Sequence, residues 1–299
     1  MLTRRVIDFL RFRPLFYALS FVLFVAFGTG IWYRINTRGS AFLYSVDFTG
    51  GTQVLFGFSQ KISGDQVLRL AEKHGYEGAV VREFGDREVL VRVKSFESDA
   101  KGLAERMKAQ FTPDLPGSEI TVLQTDSIGK GIGADLRRKS VIAVVLVLLA
   151  MLAYIWYRFW SFSFGMGAVV SLLHDAIAML TFMIWFDYEI SFQTITAILF
   201  ILGYSINDTI VVFSRIREHF AKKHTETPAY LANLSINETL RRTLLTAFAT
   251  CLVVVALVIF GGEVLRALSA PLLVGMVFGT YSSIYIATPV MLLLYRDKK

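Results

Sequence analysis

Residues 199–218 read LFILGYSINDTIVVFSRIRE, and the rest of the chain is organised around how this stretch is understood. An apolar run enters it, Asn207 and Asp208 lie in its lower half, and Arg215 and Arg217 close it. As a helix rising ~1.5 Å per residue, it places Asp208 ~10 Å inside Arg215. A carboxylate within a bilayer costs from a few to ~10 kcal/mol or more, so such a residue ordinarily handles ions or protons. The bland alternative is that Asp208 reaches interfacial water and merely ends the helix. The depth favours the first reading.

The composition demands a membrane. Of 299 residues, 54% are hydrophobic, and the mean hydropathy of +0.53 is too high for a soluble globule. The net charge of +7 resolves once the charges are placed. The segments expected in the cytosol hold 14 Lys and Arg against five acids, whereas residues 34–139 hold 16 against 14. The excess is topological, following the positive-inside rule, and is not a nucleic-acid footprint. The single cysteine, Cys251, lies in an apolar run and excludes disulfides and cysteine-rich metal sites.

Residues 1–14 form a basic cytosolic N-terminus with Arg4, Arg5, Arg11 and Arg13, and residues 15–33 a first span. A cleaved signal peptide competes, since Ala26, Gly28 and Gly30 are small. The length of the run and the five spans after it favour a retained helix. Residues 34–139 form an extracytoplasmic insert. A strand-like segment over 42–58 is broken at Gly50 and Gly51 by a bulge or tight turn. Ser63 and Gln66 make a capping box for a helix. Alternating strands over 79–84 and 89–93 flank a Gly85-Asp86 hairpin signal, a helix covers 100–111, and 119–124 alternates again. The order βαββαβ is the ferredoxin-like pattern, a docking scaffold without a catalytic constellation. Gly129, Gly131 and Gly133 read as a hinge, because neither a preceding strand nor a G-K-[ST] ending supports a phosphate loop.

Further spans are expected over 140–157, 162–186, 191–213, 243–262 and 270–295, with 214–242 a cytosolic loop and helix start and 296–299 a cytosolic tail. Six crossings make a multi-pass helical bundle with both termini in the cytosol. The N-x-[ST] matches at Asn207, Asn233 and Asn237 fall in membrane or cytosol, so glycosylation is not implied. The third span carries His174 and Asp175 near its middle, either as polar glue to Ser171 or a neighbouring hydroxyl, or as a second ionisable site. In the fifth, Ser235 and Glu238 suggest a capping box. Thr239, Arg242 or Thr243, Thr246 and Thr250 recur as one polar stripe expected to face the bundle or a wet cavity. Arg242 has Glu238 four residues before it, and could also reach towards Asp208. The sixth carries Pro271, Gly275, Gly279, Ser283 and Ala287 at four-residue intervals, a ridge for close helix approach.

VDFTGGT at 46–52, ADLRRKS at 134–140, YIWYRF at 154–159, LLHDA at 172–176, GYSINDTIVVFSRIRE at 203–218, NETLRRT at 237–243 and GTYSSIYIATP at 279–289 together resemble the SecD/SecF family. These membrane proteins assist the bacterial Sec export channel and share the resistance-nodulation-division architecture. The fourth-span motif and small head resemble the SecF side of the family and not SecD. The likeness covers essentially the whole chain. It departs at Ser214, where the family usually has Asp, leaving any role of that second carboxylate in doubt. The resemblance implies proton-relay roles for Asp208 and Arg242, with Asp175 and His174 as further candidates. Asp47, Gly50, Gly51, Gly203, Asn207, Gly275 and Gly279 are the structural motif residues. It implies no enzyme activity and no cofactor, the proton gradient being the energy source. The implied partners are SecD, the SecYEG channel, the translocating unfolded polypeptide and membrane lipid, with no nucleic acid, in the bacterial inner membrane. Two other readings compete. One is an exporter half for lipids or small molecules, which would need a large apolar pocket. The other is an intramembrane aspartyl protease, which needs G-x-G-D where this chain has S-I-N-D.

Overall fold

The computed structural model describes residues 7–84, 86–222 and 226–295. Arg4, Arg5, Gly85 and the tail 296–299 lie outside the described residues, as do positions 223–225 of the loop. The chain divides into two compact units, one of Met1–Leu43 with Ile142–Lys299, the other Tyr44–Val141.

Six helices of the first unit are long and apolar enough to cross a membrane. α1 (Arg13–Arg38) starts on Pro14, whose missing N–H costs nothing in a first turn, and stops at Gly39 with φ +73°. α5 (Lys130–Phe159), α6 (Phe162–Trp185), α7 (Phe192–Ala221) and α8 (Pro228–Phe260) follow. The sixth crossing is composite: α9 (Gly262–Ser282) passes through a π turn, Ser283–Ala287, into α10 (Thr288–Leu294). Pro289 cannot donate to the turn before it, which accounts for the local widening. The Thr288 hydroxyl donates to the Ser283 carbonyl at 3.3 Å. α6 is the most buried crossing, while α1, α5 and α8 turn most of their apolar side chains outwards. The buried polar residues of these helices, His174 and Asp175 of α6 and Ser205 and Asp208 of α7, therefore sit where lipid does not reach.

The small-residue ridge packs inside this unit. A Cβ on Gly275 would stand 2.8 Å from both Ile201 of α7 and Met179 of α6, and one on Gly279 3.1 Å from the Ser205 Cβ. At the α1 end, Asp187 pairs with Arg34 at 2.9 Å and also with Arg38.

In the second unit Ser45 caps a single helical turn, α2 (Val46–Thr49), which follows the two-residue strand β1 (Leu43–Tyr44). The strand-like segment expected over 42–58 is broken at Gly50 and Gly51 as expected, but its first half is this helical turn and only the second half, β2 (Gly51–Phe58), is a full strand. Gly50 and Gly51 make the tight turn, with φ +74° and +119°. At Gly51 a Cβ would lie 2.6 Å from the Val93 carbonyl, so only glycine fits. The register slip lies between Leu55 and Phe56. α3 (Gly64–Lys73) carries the Ser63–Gln66 capping box, then β3 (Val80–Phe84), β4 (Glu88–Val93), α4 (Ala100–Phe111) and β5 (Ile120–Ile128) complete the unit. β5 runs four residues beyond the expected 119–124. The antiparallel sheet has the order β3-β4-β2-β5. Val67 and Ala71 of α3 share one core with Leu103, Met107 and Phe111 of α4 and Val54, Phe56, Val89 and Val91 of the strands.

Two local expectations are corrected. The hinge at Gly129, Gly131 and Gly133 is absent as such: helix begins at Lys130 and includes the last two glycines. Gly133 is small for packing, since a Cβ there would meet the Asp47 carbonyl and the Gly50 nitrogen at 3.2 and 3.1 Å. The fifth helix starts at Thr227, whose hydroxyl accepts from the Tyr230 N–H, followed by Pro228. Ser235 lies inside that helix and donates to the Leu231 carbonyl at 2.7 Å, so Ser235 and Glu238 make no capping box.

Candidate functional site

α7 is positioned by Ser191, whose side chain and that of Thr194 cap each other's backbone N–H groups. From there Ile198, Ile201, Leu202, Ser205, Asp208, Thr209, Val212 and Ile216 recur at helical spacing and are buried. Gly203 and Asn207 fall on the opposite, exposed face, and a Cβ on Gly203 would meet nothing within 4 Å. The period that buries the aliphatic residues is what carries Asp208 inwards.

Asp208 is 3% exposed, and its Oδ2 has no hydrogen-bond partner among the described residues. Thr243 on α8 likewise has an orphaned buried hydroxyl, while the Tyr204 hydroxyl, one turn before Asp208, lies beside Thr250 of α8. A buried polar group without a partner costs about 1–3 kcal/mol, and more when charged. Two such groups on two helices packed against each other mark a site built for something other than packing.

Arg242 does not complete an ion pair with Asp208. Its side chain is exposed, near enough for its charge to act on the carboxyl but beyond pairing distance. The expected bond to Glu238 is also missing, because Glu238 is bound by Arg215 and by His219 Nε2 at 3.0 Å. The threonine stripe is only partly bundle-facing. Thr243 is buried, while Thr246 is exposed and donates to the carbonyls of Arg242 and Thr243. A threonine hydroxyl can bond its own helix, so the stripe satisfies itself without a neighbour.

A second cluster lies around Asp175, which is fully buried. Its Oδ2 accepts from the Ser205 hydroxyl at 2.6 Å, tying α6 to α7 three residues before Asp208. Ser171 is not its partner, since that hydroxyl donates to the Ala168 carbonyl. His174, 2% exposed, places Nδ1 3.6 Å from Asp175 Oδ1 and Nε2 3.2 Å from Ser20 Oγ on α1. Ser20 in turn meets the Tyr281 hydroxyl of α9 at 2.6 Å, and that hydroxyl donates to the Phe16 carbonyl at 2.9 Å. Gly279 closes the cluster: a Cβ there would stand 3.2 Å from Ser205 Oγ and 3.6 Å from Asp175 Oδ2.

The structure therefore unites His174, Asp175 and Gly279, leaves Asp208 alone at the adjoining turn of α7, and keeps Arg242 outside contact with either. Among the described residues no hydrogen bond or ion pair joins Asp175 to Asp208, so nothing shared makes them a protease-type dyad. Ser20, Ser205 and Tyr281 were not singled out in the sequence. Ser205 carries a signal in hindsight, at i−3 from Asp208 on one helix face. Tyr281 lies two residues beyond Gly279, and Ser20 is a hydroxyl in an otherwise apolar stretch, neither of which is specific.

Residues 110–297 match the family model described as "Protein export membrane protein SecD/SecF, C-terminal". The chain is 37% identical over 300 residues to the protein translocase subunit SecF of Desulfurispirillum indicum, covering 97% of this chain and 91% of that protein. It is 35% identical to the SecF of Pseudomonas aeruginosa, covering 96% and 91%. Among solved structures it resembles SecDF of Thermus thermophilus, described as a translocon-associated membrane protein, with a TM-score of 0.84 and 32% identity. A structure of SecDF in a super-membrane-facing form gives a TM-score of 0.67 at 32% identity. The chain covers 97% and 98% of itself in these two matches but spans only 39% of either SecDF chain.

Proposed function

Since this chain belongs to the SecD/SecF family of protein-export membrane proteins, on its SecF side, we propose that it acts with SecD beside the SecYEG channel and uses the proton-motive force in late steps of export. On this reading it is a multi-pass protein of the bacterial inner membrane with both termini in the cytosol, and the translocating unfolded polypeptide is its client. The small-domain order βαββαβ and the sheet order β3-β4-β2-β5 support a ferredoxin-like docking head.

The observation that carries the reading is Asp208: a carboxyl on the inward face of a membrane helix, buried, with one oxygen unpartnered. Held neutral, it is tolerable in a dry interior; ionised, it needs a cation or water. Arg242, whose charge already acts on the carboxyl, is the cation that a helix movement would supply. A carboxyl alternating between a dry site and an Arg-paired site takes up a proton in one state and releases it in the other, and that alternation couples a gradient to conformational change. Asp175 and His174 are the second candidates.

The reading is tested by co-purifying the chain with its membrane partners and reconstituting the complex with SecYEG in vesicles. Export completed faster under an imposed proton gradient, and slowed by an uncoupler, is the expected result. Gradient-independent export, or a complex lacking SecD, would overturn it.

A further inference from the structure

The hydrogen bonds around His174 have a direction, and the direction leaves one place for a proton. The Phe16 carbonyl can only accept, so the single Tyr281 proton is committed to it. The 2.6 Å contact between Tyr281 and Ser20 is then made by the Ser20 proton, and Ser20 Oγ is free to accept from His174 Nε2–H. An imidazole protonated at Nε2 presents a lone pair at Nδ1. On the far side, the Ser205 hydroxyl fills Asp175 Oδ2. Ser282 also stands beside the Asp175 carboxyl, but its hydroxyl donates to the Gly279 carbonyl at 3.2 Å. His174 Nδ1 and Asp175 Oδ1, both buried, then face each other across 3.6 Å with no donor committed to either.

One proton between these atoms serves both. Removing it leaves a carboxylate with no exposure to water; adding a second leaves a buried positive charge. We propose that His174 and Asp175 hold a single proton as one unit, a station separate from Asp208, and that Ser20 and Tyr281 are positioning residues that set its tautomer. The groups packed against the pair are Ser205, Ser282, the rings of Phe24 and Phe278, and the Tyr281 phenol, which among the described residues is the other titratable group there.

The unit also ties proton occupancy to a helix contact. When the proton leaves, the carboxylate must accept from Nδ1, so His174 changes tautomer and Nε2 must accept from Ser20. Ser20 then accepts from Tyr281, whose only proton is withdrawn from the Phe16 carbonyl. The balance is one proton lost from the pair, the Asp175 proton passing to Nδ1 as the Nε2 proton departs, and three hydrogen bonds reversed, with α9 losing its grip on the α1 backbone. The purpose of this linkage rests on the proton-relay reading above; the presence of the proton does not.

The test is nitrogen-15 magnetic resonance on the full-length protein in lipid, with histidine labelled and His174 assigned through H174Q. The expected spectrum is a neutral imidazole protonated at Nε2 with a hydrogen-bonded Nδ1. Tyr281→Phe should flip it towards the Nδ1–H form, because the Ser20 proton then turns to Nε2; a purely packing role for Tyr281 would not move the tautomer. A neutral Nδ1–H tautomer in the unmodified protein would overturn the proposal without requiring any variant to fold, as would a doubly protonated ring beside an Asp175 carboxyl that carbon-13 shifts show to be protonated as well. Should Asp208→Asn spare export while His174 keeps the expected tautomer, the relay reading falls and this one stands.

Discussion

Gly279→Leu tests the packing on which both clusters depend. A Cβ at this position would stand 3.1 Å from the Ser205 Cβ and 3.2 Å from its Oγ, where carbon atoms prefer about 3.5–4.0 Å. The remaining leucine carbons would have to displace α7 or α6 or swing out of the ridge. Overpacking of this kind costs about 1–3 kcal/mol. Moving Ser205 also strips Asp175 of its donor, at about 1–3 kcal/mol for an unsatisfied buried group. Leucine's better helix propensity returns about 0.8 kcal/mol. The net expectation is a loss of about 1–5 kcal/mol, read as a lower thermal midpoint of the detergent-solubilised chain. Gly203→Leu is the control: it has the same propensity gain and open space around it, so the isolated chain should unfold at or above the parent's midpoint. Equal stability of Gly279→Leu and the parent, or equal losses in the two variants, would refute the argument.

Gly203→Leu should nonetheless weaken partner retention, because Gly203 and Asn207 continue an exposed stripe with Thr196 and Phe200 on a helix half-buried in its own bundle; undiminished recovery of SecD on co-purification would contradict this. For topology, with Cys251 replaced, a cysteine at Lys101 should react with an impermeant thiol reagent added outside the cell and one at Ala229 should not; labelling of both would break the six-crossing arrangement. In the small domain, hydrogen bonds from Lys73 at 2.5 Å and His74 at 2.8 Å hold the Asp114 carboxyl below its ordinary range. A depressed carboxyl adds stability above its unfolded-state value and loses it as pH falls through the lower folded value. Asp114→Asn should therefore flatten the acid-side loss of hydrogen-exchange protection at the end of α3, and an unchanged acid limb would count against the contact.

How much was legible in the sequence depended on the range of the interaction. The crossings and the inward face of α7 follow from periodicity, which is local, and the Ser63–Gln66 cap from two residues three apart. The break at Gly50 and Gly51 is legible from the two glycines, but the helical turn at 46–49 is not, because VDFT lies amid strand-forming residues; only the approach of the Val93 carbonyl to Gly51 shows why glycine is required there. Glycines at 131 and 133 look like a hinge, yet both lie in helix, and the absent side chain of Gly133 admits α2. Spacing along one helix offers Glu238 to Arg242 as one of two partners, Asp208 being the other, whereas Arg215 from α7 takes Glu238 across the interface. The Ser20–His174–Asp175–Ser205 chain spans three helices, and nothing in a linear pattern pairs residue 20 with residue 174.

The central claim is that the Asp208 carboxyl must gain and lose a proton for export to be driven. Asp208→Asn keeps the shape and hydrogen-bonding capacity of the side chain but cannot release a proton, so it separates chemistry from folding. The decisive measurement is gradient-dependent export in vesicles containing this variant, alongside its recovery with SecD and its thermal midpoint. The account predicts normal assembly, equal or higher stability because no buried charge remains to be accommodated, and loss of the gradient-driven component of export. Full gradient-driven export by a correctly assembled Asp208→Asn complex would contradict it.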